Sequence, residues 1–177
     1  MKKERAVKEN VEFPGVNIYI ATSRLSTEKQ RPGGYAGLIK FPEGGHEIIE
    51  FSGGVPSSAV DMRLRELGAI EALERIEGIL GDQPVTIFVA LMELVEENLA
   101  HDLKDRDNHF VDCLENGARG AEYDYFSNKH KLYTYLMNGN VRIKWQKEYK
   151  DMDVIKKLRT KAHEKAQSFL ADENAQE

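Results

Sequence analysis

The sequence has little cysteine and no long apolar segment, and both absences narrow the class of protein. Cys113 is the single cysteine in 177 residues, so no internal disulfide bond is possible, and we expect a reducing, cytoplasmic location. No run of about 18 apolar residues occurs, so we expect no membrane partner. Residues 1–9 are charged and lack the apolar core of a secretory signal.

Motifs of the common catalytic and cofactor sites are also absent. The sequence contains no glycine-rich phosphate-binding loop and no pattern typical of a catalytic triad. The histidines are scattered along the sequence and do not form a set of metal ligands. The sequence as written therefore indicates no cofactor and no metal site.

What the sequence does contain is an uneven distribution of charge. The net charge is −5, yet residues 129–165 carry 11 basic and 4 acidic side chains. Residues 43–128 carry 6 basic and 19 acidic side chains. A basic segment in an acidic chain is typical of a surface that binds a polyanion. An ordinary solvated helix surface explains the same pattern, and the sequence leaves both interpretations open.

Three short segments rich in β-branched and aromatic residues open the chain. They predict strands at Val16–Ile20, Ala36–Phe41 and His46–Phe51. Glycine and proline between them predict turns at Arg31–Tyr35 and Pro42–Gly45. Because three short strand-like segments separated by glycine- and proline-containing turns are typical of sequential pairing, we expect an antiparallel meander.

Helices and two further strands follow. Leucines and isoleucines at three- and four-residue spacing predict a helix over Val60–Leu80. The remaining predicted elements are a strand at Val85–Val89, helices at Leu91–Leu103, Asn108–Glu115 and Asn128–Met137, a strand at Val141–Gln146 and a helix at Asp153–Leu170. The predicted apolar face of this last helix comprises Ile155, Leu158, Ala162, Ala166 and Phe169 or Leu170. The order predicts one α/β domain with a mixed five-stranded sheet flanked by helices. We expect a flexible arm at residues 1–14, the domain at 15–170 and an acidic tail at 171–177.

Five segments of the chain match the motifs of one known family in order and approximate spacing. They are Val16–Tyr19, Pro32–Gly37, Phe51–Gly54, Arg65–Leu73 and Ile143–Trp145. Over nearly its whole length the chain resembles the type 1 ribonuclease H family. The resemblance implies a ribonuclease H-like fold with strand order 3-2-1-4-5. It also implies a parent activity, the Mg²⁺-dependent cleavage of RNA in an RNA–DNA hybrid.

The resemblance also assigns the positions of the four catalytic carboxylates that hold the family's two Mg²⁺ ions. They fall on Ala21, Glu66, Ala90 and Lys156, with Asp153 a possible fourth carboxylate one helical turn earlier. Closely spaced divalent ions need several carboxylates around them. Because Ala21 and Ala90 offer only methyl groups, we expect neither metal binding nor hydrolysis from the chain as written.

The vacated site is expected to keep one acidic side chain. The resemblance places Ala21 and Ala90 at the ends of adjacent central strands, with Glu66 reaching toward them from the first long helix. We expect these three residues to lie together. Lys156 stands where the fourth carboxylate would be, and we expect it to form an ion pair with Glu66.

Polar and basic residues around this position are candidates for contact with nucleic acid. The predicted loop at residues 22–30 lies beside the vacated site, and two serines replace the residues that the family has before its first helix. The full set of candidates is Ser23, Arg24, Lys29, Arg31, Ser57, Ser58, Lys147 and Lys156. The family's basic, tryptophan-bearing segment is absent at Gly117–Asp124.

Three functions are compatible with these residues. The chain is a catalytically inactive relative that binds an RNA–DNA hybrid, structured RNA or DNA weakly. Alternatively, it is a hybrid nuclease in which alanine replaces two catalytic aspartates, or a scaffold domain for protein partners. Restoring aspartate at Ala21 and Ala90 separates the first two, because only a recently disabled enzyme should regain cleavage.

Overall fold

The computed structural model describes residues 11–26, 31–89, 100–144 and 152–174, with the backbone alone for residues 100–102 and 171–174. Five strands form one sheet in the order β3-β2-β1-β4-β5, as the sequence predicts. The strands are β1 Val16–Arg24, β2 Gly33–Lys40, β3 Ile49–Val55, β4 Val85–Phe88 and β5 Val141–Lys144. Strands β1 to β3 pair antiparallel, and β4 runs parallel to both β1 and β5.

Four helices flank the sheet in the described part of the chain. They are α1 Asp61–Ile76, α2 Ala100–Glu115, α3 Ala121–Met137 and α4 Asp153–Asn174. Within the described residues, no helix is long and apolar enough to cross a membrane.

The first hairpin differs from its prediction. The predicted turn at Arg31–Tyr35 is wrong from Gly33 onward, because β2 begins there and pairs with Arg24 at the end of β1. The reason lies in packing, since a Cβ atom on Gly34 would overlap the carbonyl oxygen of Ala162 in α4. This glycine therefore permits close helix–sheet approach within a strand and does not form a turn.

Strand β3 shows the same effect. It starts at Ile49 and ends at Val55, so the predicted strand at His46–Phe51 is placed too early. Gly53 lies in the strand because the ring of Tyr35 occupies the space that a side chain would need. Glycines that resemble a loop signal are here the small residues of a tightly covered sheet.

The helix boundaries also need correction. Helix α1 ends at Ile76, where the amides of Ile79 and Leu80 both donate to the Ile76 carbonyl in a terminal turn. Helix α3 starts at Ala121, seven residues before the predicted Asn128, so part of the segment left between the two predicted helices is helical. Helix α4 continues beyond Leu170 to Asn174, into the predicted tail.

Other differences concern the second half of the chain. The predicted helix at Leu91–Leu103 lies largely outside the described residues, and the predicted segment Asn108–Glu115 is the end of α2. The predicted strand β4 ends one residue earlier in the structure, at Phe88. Strand β5 is confirmed over Val141–Lys144, and the last two residues of its prediction lie outside the described residues.

The two faces of the sheet carry separate apolar clusters. Alternate β1 residues Ile18 and Ile20 join the cluster under α1 and α3, whereas Tyr19 and Ala21 join the cluster under α4. The α4 cluster includes Ile155, Leu158 and Ala162, and Ala166 is also fully buried. The predicted apolar face of the last helix is confirmed at these four positions.

The described end of the predicted arm is tied to the sheet. The buried Asn17 side chain accepts a hydrogen bond from the amide of Phe13 and donates one to its carbonyl oxygen, each at 2.8 Å. The hydroxyl of Tyr19 donates to the carbonyl oxygen of Val11 at 2.8 Å. Residues 11–13 therefore lie against β1.

Candidate functional site

Glu66 lies in the interior, where it forms an ion pair with Lys129. Its carboxylate on α1 accepts a hydrogen bond from the Lys129 ammonium on α3. Glu66 is 4% exposed and Lys129 is 3% exposed. A charged pair at this depth carries a large desolvation cost, which the attraction between the two opposite charges offsets.

The charge state of Lys129 follows from its surroundings. Burial alone would lower its pKa, but the hydrogen bond and negative charge of Glu66 act in the opposite direction. Tyr125 and Tyr133 add to this effect, and the net result is a raised pKa for Lys129. The ammonium therefore stays protonated at neutral pH. It also lies 5.6 Å from the ring centroid of Tyr125, within range of a cation–π interaction.

The expected ion pair between Glu66 and Lys156 is not the one that forms. Lys156 is exposed on α4, whereas the Glu66 carboxylate is held by Lys129. The physical reason is that α1 and α3 cover the same face of the sheet, whereas α4 covers the other face. A signal was present in the sequence, because Lys129 stands three and four residues before the core residues Leu132 and Tyr133 and so shares their helix face.

Ala21 lies on the other face of the sheet from α1. It pairs with Ala36 across the β1–β2 ladder and is buried in the cluster under α4. Ala90 lies outside the described residues. That Ala21, Glu66 and Ala90 lie together therefore stays a prediction.

Several candidate contact residues gather at one end of the sheet. The ladder places Arg24 opposite Gly33, and Gly33 opposite Val55. The amide of Ala59 donates to the Arg31 carbonyl at 2.7 Å, which holds the loop before α1 next to the start of β2. The candidates at this end are Arg24, Arg31, Ser57 and Ser58, and all four are exposed.

The other candidates lie in different surroundings. The Ser23 hydroxyl is 3.2 Å from Nδ1 of His163 on α4, so it links strand and helix. Asp153 lies 3.5 Å from the Lys157 ammonium within the first turn of α4, where an acidic residue also suits the helix dipole. Lys29 and Lys147 lie outside the described residues.

The donor atoms near Glu66 do not suit a pair of Mg²⁺ ions. Mg²⁺ needs several oxygen ligands, yet the Glu66 carboxylate is engaged by an ammonium group and position 21 offers a methyl group. Across the described ranges, no group of three or more His, Cys, Asp or Glu side chains could hold a metal ion.

A second polar contact between helices was missed by sequence reasoning. Nδ1 of His130 lies 2.7 Å from the Asp107 carboxylate of α2, and Asp107 is buried. This pair joins α2 to α3, directly beside Lys129 in the sequence. Its two partners are 23 residues apart on different helices, so no local spacing pattern could have indicated it.

Comparisons with known proteins rest on structure. No family model matches the sequence, and no curated protein matches it either. LC9-RNase H1, a type 1 RNase H with the type 2 active-site motif, aligns with a TM-score of 0.60 and 18% identity over 90% of this chain and 75% of that one. LC11-RNase H1, isolated from compost, aligns with a TM-score of 0.52 and 16% identity over 87% of this chain and 99% of that one.

A viral protein has the same architecture. The foamy viral protease-reverse transcriptase, solved in complex with double-stranded DNA, aligns with a TM-score of 0.57 and 13% identity over 86% of this chain and 94% of that one. Together with the strand order, these similarities show that the chain has a ribonuclease H-like fold.

Proposed function

We propose that this chain is a member of the ribonuclease H family without nuclease activity, which binds nucleic acid weakly in the cytoplasm. The state of Glu66 carries the proposal, because this remaining family carboxylate is committed to an internal ion pair with Lys129. The alanines at positions 21 and 90 point the same way. No cofactor is needed for binding of this kind.

An RNA–DNA hybrid or a structured RNA or DNA is the proposed ligand class. The fold supports this, and one structural neighbour was solved with double-stranded DNA. In this chain, Arg24 and Arg31 are exposed at one end of the sheet, and Lys156, Lys157 and Arg159 are exposed on α4. Arginine and lysine side chains contact phosphates, which positions a nucleic acid without reading its sequence.

Binding to a labelled RNA–DNA hybrid, followed by fluorescence anisotropy at several salt concentrations, tests the proposal. A site with about three phosphate contacts should lose about 40-fold in affinity between about 50 and 200 mM salt, because each contact releases counterions. The absence of binding at the lower salt concentration would contradict the proposal and favour the scaffold function.

A matched pair of variants locates the surface. The double variant Arg24→Ala/Arg31→Ala removes two exposed cations at the end of the sheet. The control Lys104→Ala/Arg119→Ala removes two exposed cations near α2 and α3. We expect the first to weaken binding and flatten the salt dependence, and the second to have little effect. Equal losses in both variants would contradict a defined surface.

The alternative of a nuclease with two replaced aspartates has its own test. The variant Ala21→Asp/Ala90→Asp restores both carboxylates and should show no hybrid cleavage with Mg²⁺ or Mn²⁺, because Lys129 still neutralises Glu66. Recovery of cleavage in this variant would favour the alternative.

A further inference from the structure

Two ion pairs join the same two helices, and they differ in their depth. Glu66 of α1 pairs with Lys129 of α3, and the two side chains are 5% and 4% exposed. Glu74 of α1 pairs with Lys131 of α3 at 3.0 Å, with side chains 47% and 51% exposed. Water screens the second pair but has almost no access to the first. Only the loss of one charge from the first pair should therefore lower the stability of the fold strongly.

A buried carboxylate must have a cation or several donors beside it. An ionised carboxylate accepts hydrogen bonds and cannot donate them, and an unpaired charge is not tolerated in the interior. In this chain the Lys129 ammonium supplies both positive charge and a hydrogen-bond donor. The pKa of Lys129 is raised, and its ammonium lies 5.6 Å from the ring centroid of Tyr125. Both observations favour a cation that stays charged at this position.

We propose that Lys129 is the resident cation of this site, a covalently attached counter-ion that neutralises Glu66 and makes the site indifferent to Mg²⁺ and Mn²⁺. A divalent ion would have to displace an ammonium group that is almost fully buried and remains charged. The Glu66 carboxylate is therefore not available to a metal ion and instead links α1 to α3 through its ion pair with Lys129. This inference concerns metal response and fold stability, and it holds whether or not the chain binds nucleic acid.

The test compares melting temperatures of four proteins with and without divalent ions, in the absence of nucleic acid. The proteins are the unmodified chain, Lys129→Met, the double variant Glu66→Met/Lys129→Met and the surface control Lys131→Met. Methionine keeps much of the length of the replaced side chains but carries no charge. The single variant leaves the Glu66 carboxylate buried without the Lys129 ammonium, and the double variant removes the carboxylate as well.

We expect Lys129→Met to lower the melting temperature by about 10 °C. The double variant should recover most of this loss, because an apolar pair of similar volume can replace a buried ion pair. Lys131→Met should change the melting temperature by less than about 3 °C. If Lys129→Met does not fold, a folded double variant near the melting temperature of the unmodified chain supports the inference equally.

About 10 mM Mg²⁺ or Mn²⁺ should shift the melting temperature of the unmodified chain by less than about 1 °C. An ion bound with a Kd of about 1 mM would raise that melting temperature by about 3–5 °C. Three results would overturn the inference. They are a metal-dependent rise of that size in the unmodified chain, a Lys129→Met variant no less stable than Lys131→Met, and a double variant no more stable than Lys129→Met.

Discussion

The two faces of the sheet are closed by different kinds of interaction. On the face under α4, the helix and the sheet are held by close packing of small residues. Gly34 lets the backbone of α4 approach the strands, and Ala21 and Ala162 belong to the apolar cluster between them. The face under α1 and α3 is also apolar, but the two helices enclose the ion pair of Glu66 and Lys129. A close-packed contact is sensitive to added volume, whereas a buried ion pair is sensitive to the loss of either charge.

The largest effect should come from removing the buried carboxylate. Glu66→Ala leaves the Lys129 ammonium buried without its counter-ion, so we expect the free energy of unfolding to fall by about 3–5 kcal/mol. Glu74→Ala removes the half-exposed carboxylate of the same helix and should cost about 0–1 kcal/mol. Urea denaturation measures both. Equal losses would mean that depth does not distinguish the two pairs.

A smaller effect should come from adding one methyl group on the other face. Gly34→Ala places a Cβ atom against the carbonyl oxygen of Ala162, so α4 must move, and we expect a loss of about 1–3 kcal/mol in the free energy of unfolding. Gly78→Ala is the control, because nothing lies within 4 Å of its added Cβ. A harmless Gly34→Ala would show that α4 does not pack as closely as described.

The dependence of stability on pH above neutrality tests one polar contact on the face covered by α1 and α3. The Tyr35 hydroxyl donates to the Glu71 carboxylate at 2.6 Å, and burial followed by this hydrogen bond raises the Tyr35 pKa above its usual value. The unfolded chain therefore loses this proton near pH 10, while the folded chain keeps it. The resulting stability is complete below about pH 10 and is lost as the pH rises through the folded-state pKa.

Tyr35→Phe should accordingly cost about 1–2 kcal/mol near neutral pH, since it removes a hydrogen bond to a charged group. It should also weaken the fall of stability above about pH 10. Urea denaturation at neutral pH and at several alkaline pH values checks both parts. A variant with the same alkaline slope as the unmodified chain would contradict the assignment of this proton to Tyr35.

The smallest effect should come from a surface ion pair at the edge of the α4 face. Lys161 of α4 pairs with Glu50 of β3, and both side chains are about half exposed. Lys161→Ala should therefore change the free energy of unfolding by about 0–1 kcal/mol, with even less effect at high salt. A loss as large as that of Gly34→Ala would mean that charge as well as shape closes this face.

The same contrast explains what the sequence could predict. The apolar spacing of Ile155, Leu158, Ala162 and Ala166 indicated the buried face of α4, and the structure confirms it. Element order and motif matches also predicted the strand order correctly. The apolar face repeats with the period of a helix, so a local pattern is enough to recognise it. The strand order, by contrast, was implied by the resemblance to a known family.

Contacts between helices and strands that are far apart in the sequence were harder to predict. Gly34 lies within β2 because of a helix 128 positions later in the chain, so its neighbours in sequence gave a misleading turn signal. The partner of Glu66 was expected on α4 and lies on α3, 63 residues away. Lys129 shares a helix face with core residues, and this was the one local sign that it is buried.

A cleavage assay tests the central claim, that the chain has the fold of a nuclease and lacks its activity, most directly. Micromolar protein is incubated with a labelled RNA–DNA hybrid and Mg²⁺ or Mn²⁺, beside Glu66→Ala protein purified in the same way to reveal any contaminating nuclease. We predict no cleavage above that of the control, because Lys129 neutralises Glu66 and alanine stands at positions 21 and 90, where the family resemblance implies catalytic carboxylates. Multiple-turnover cleavage by the unmodified chain, absent from Glu66→Ala, would contradict the account.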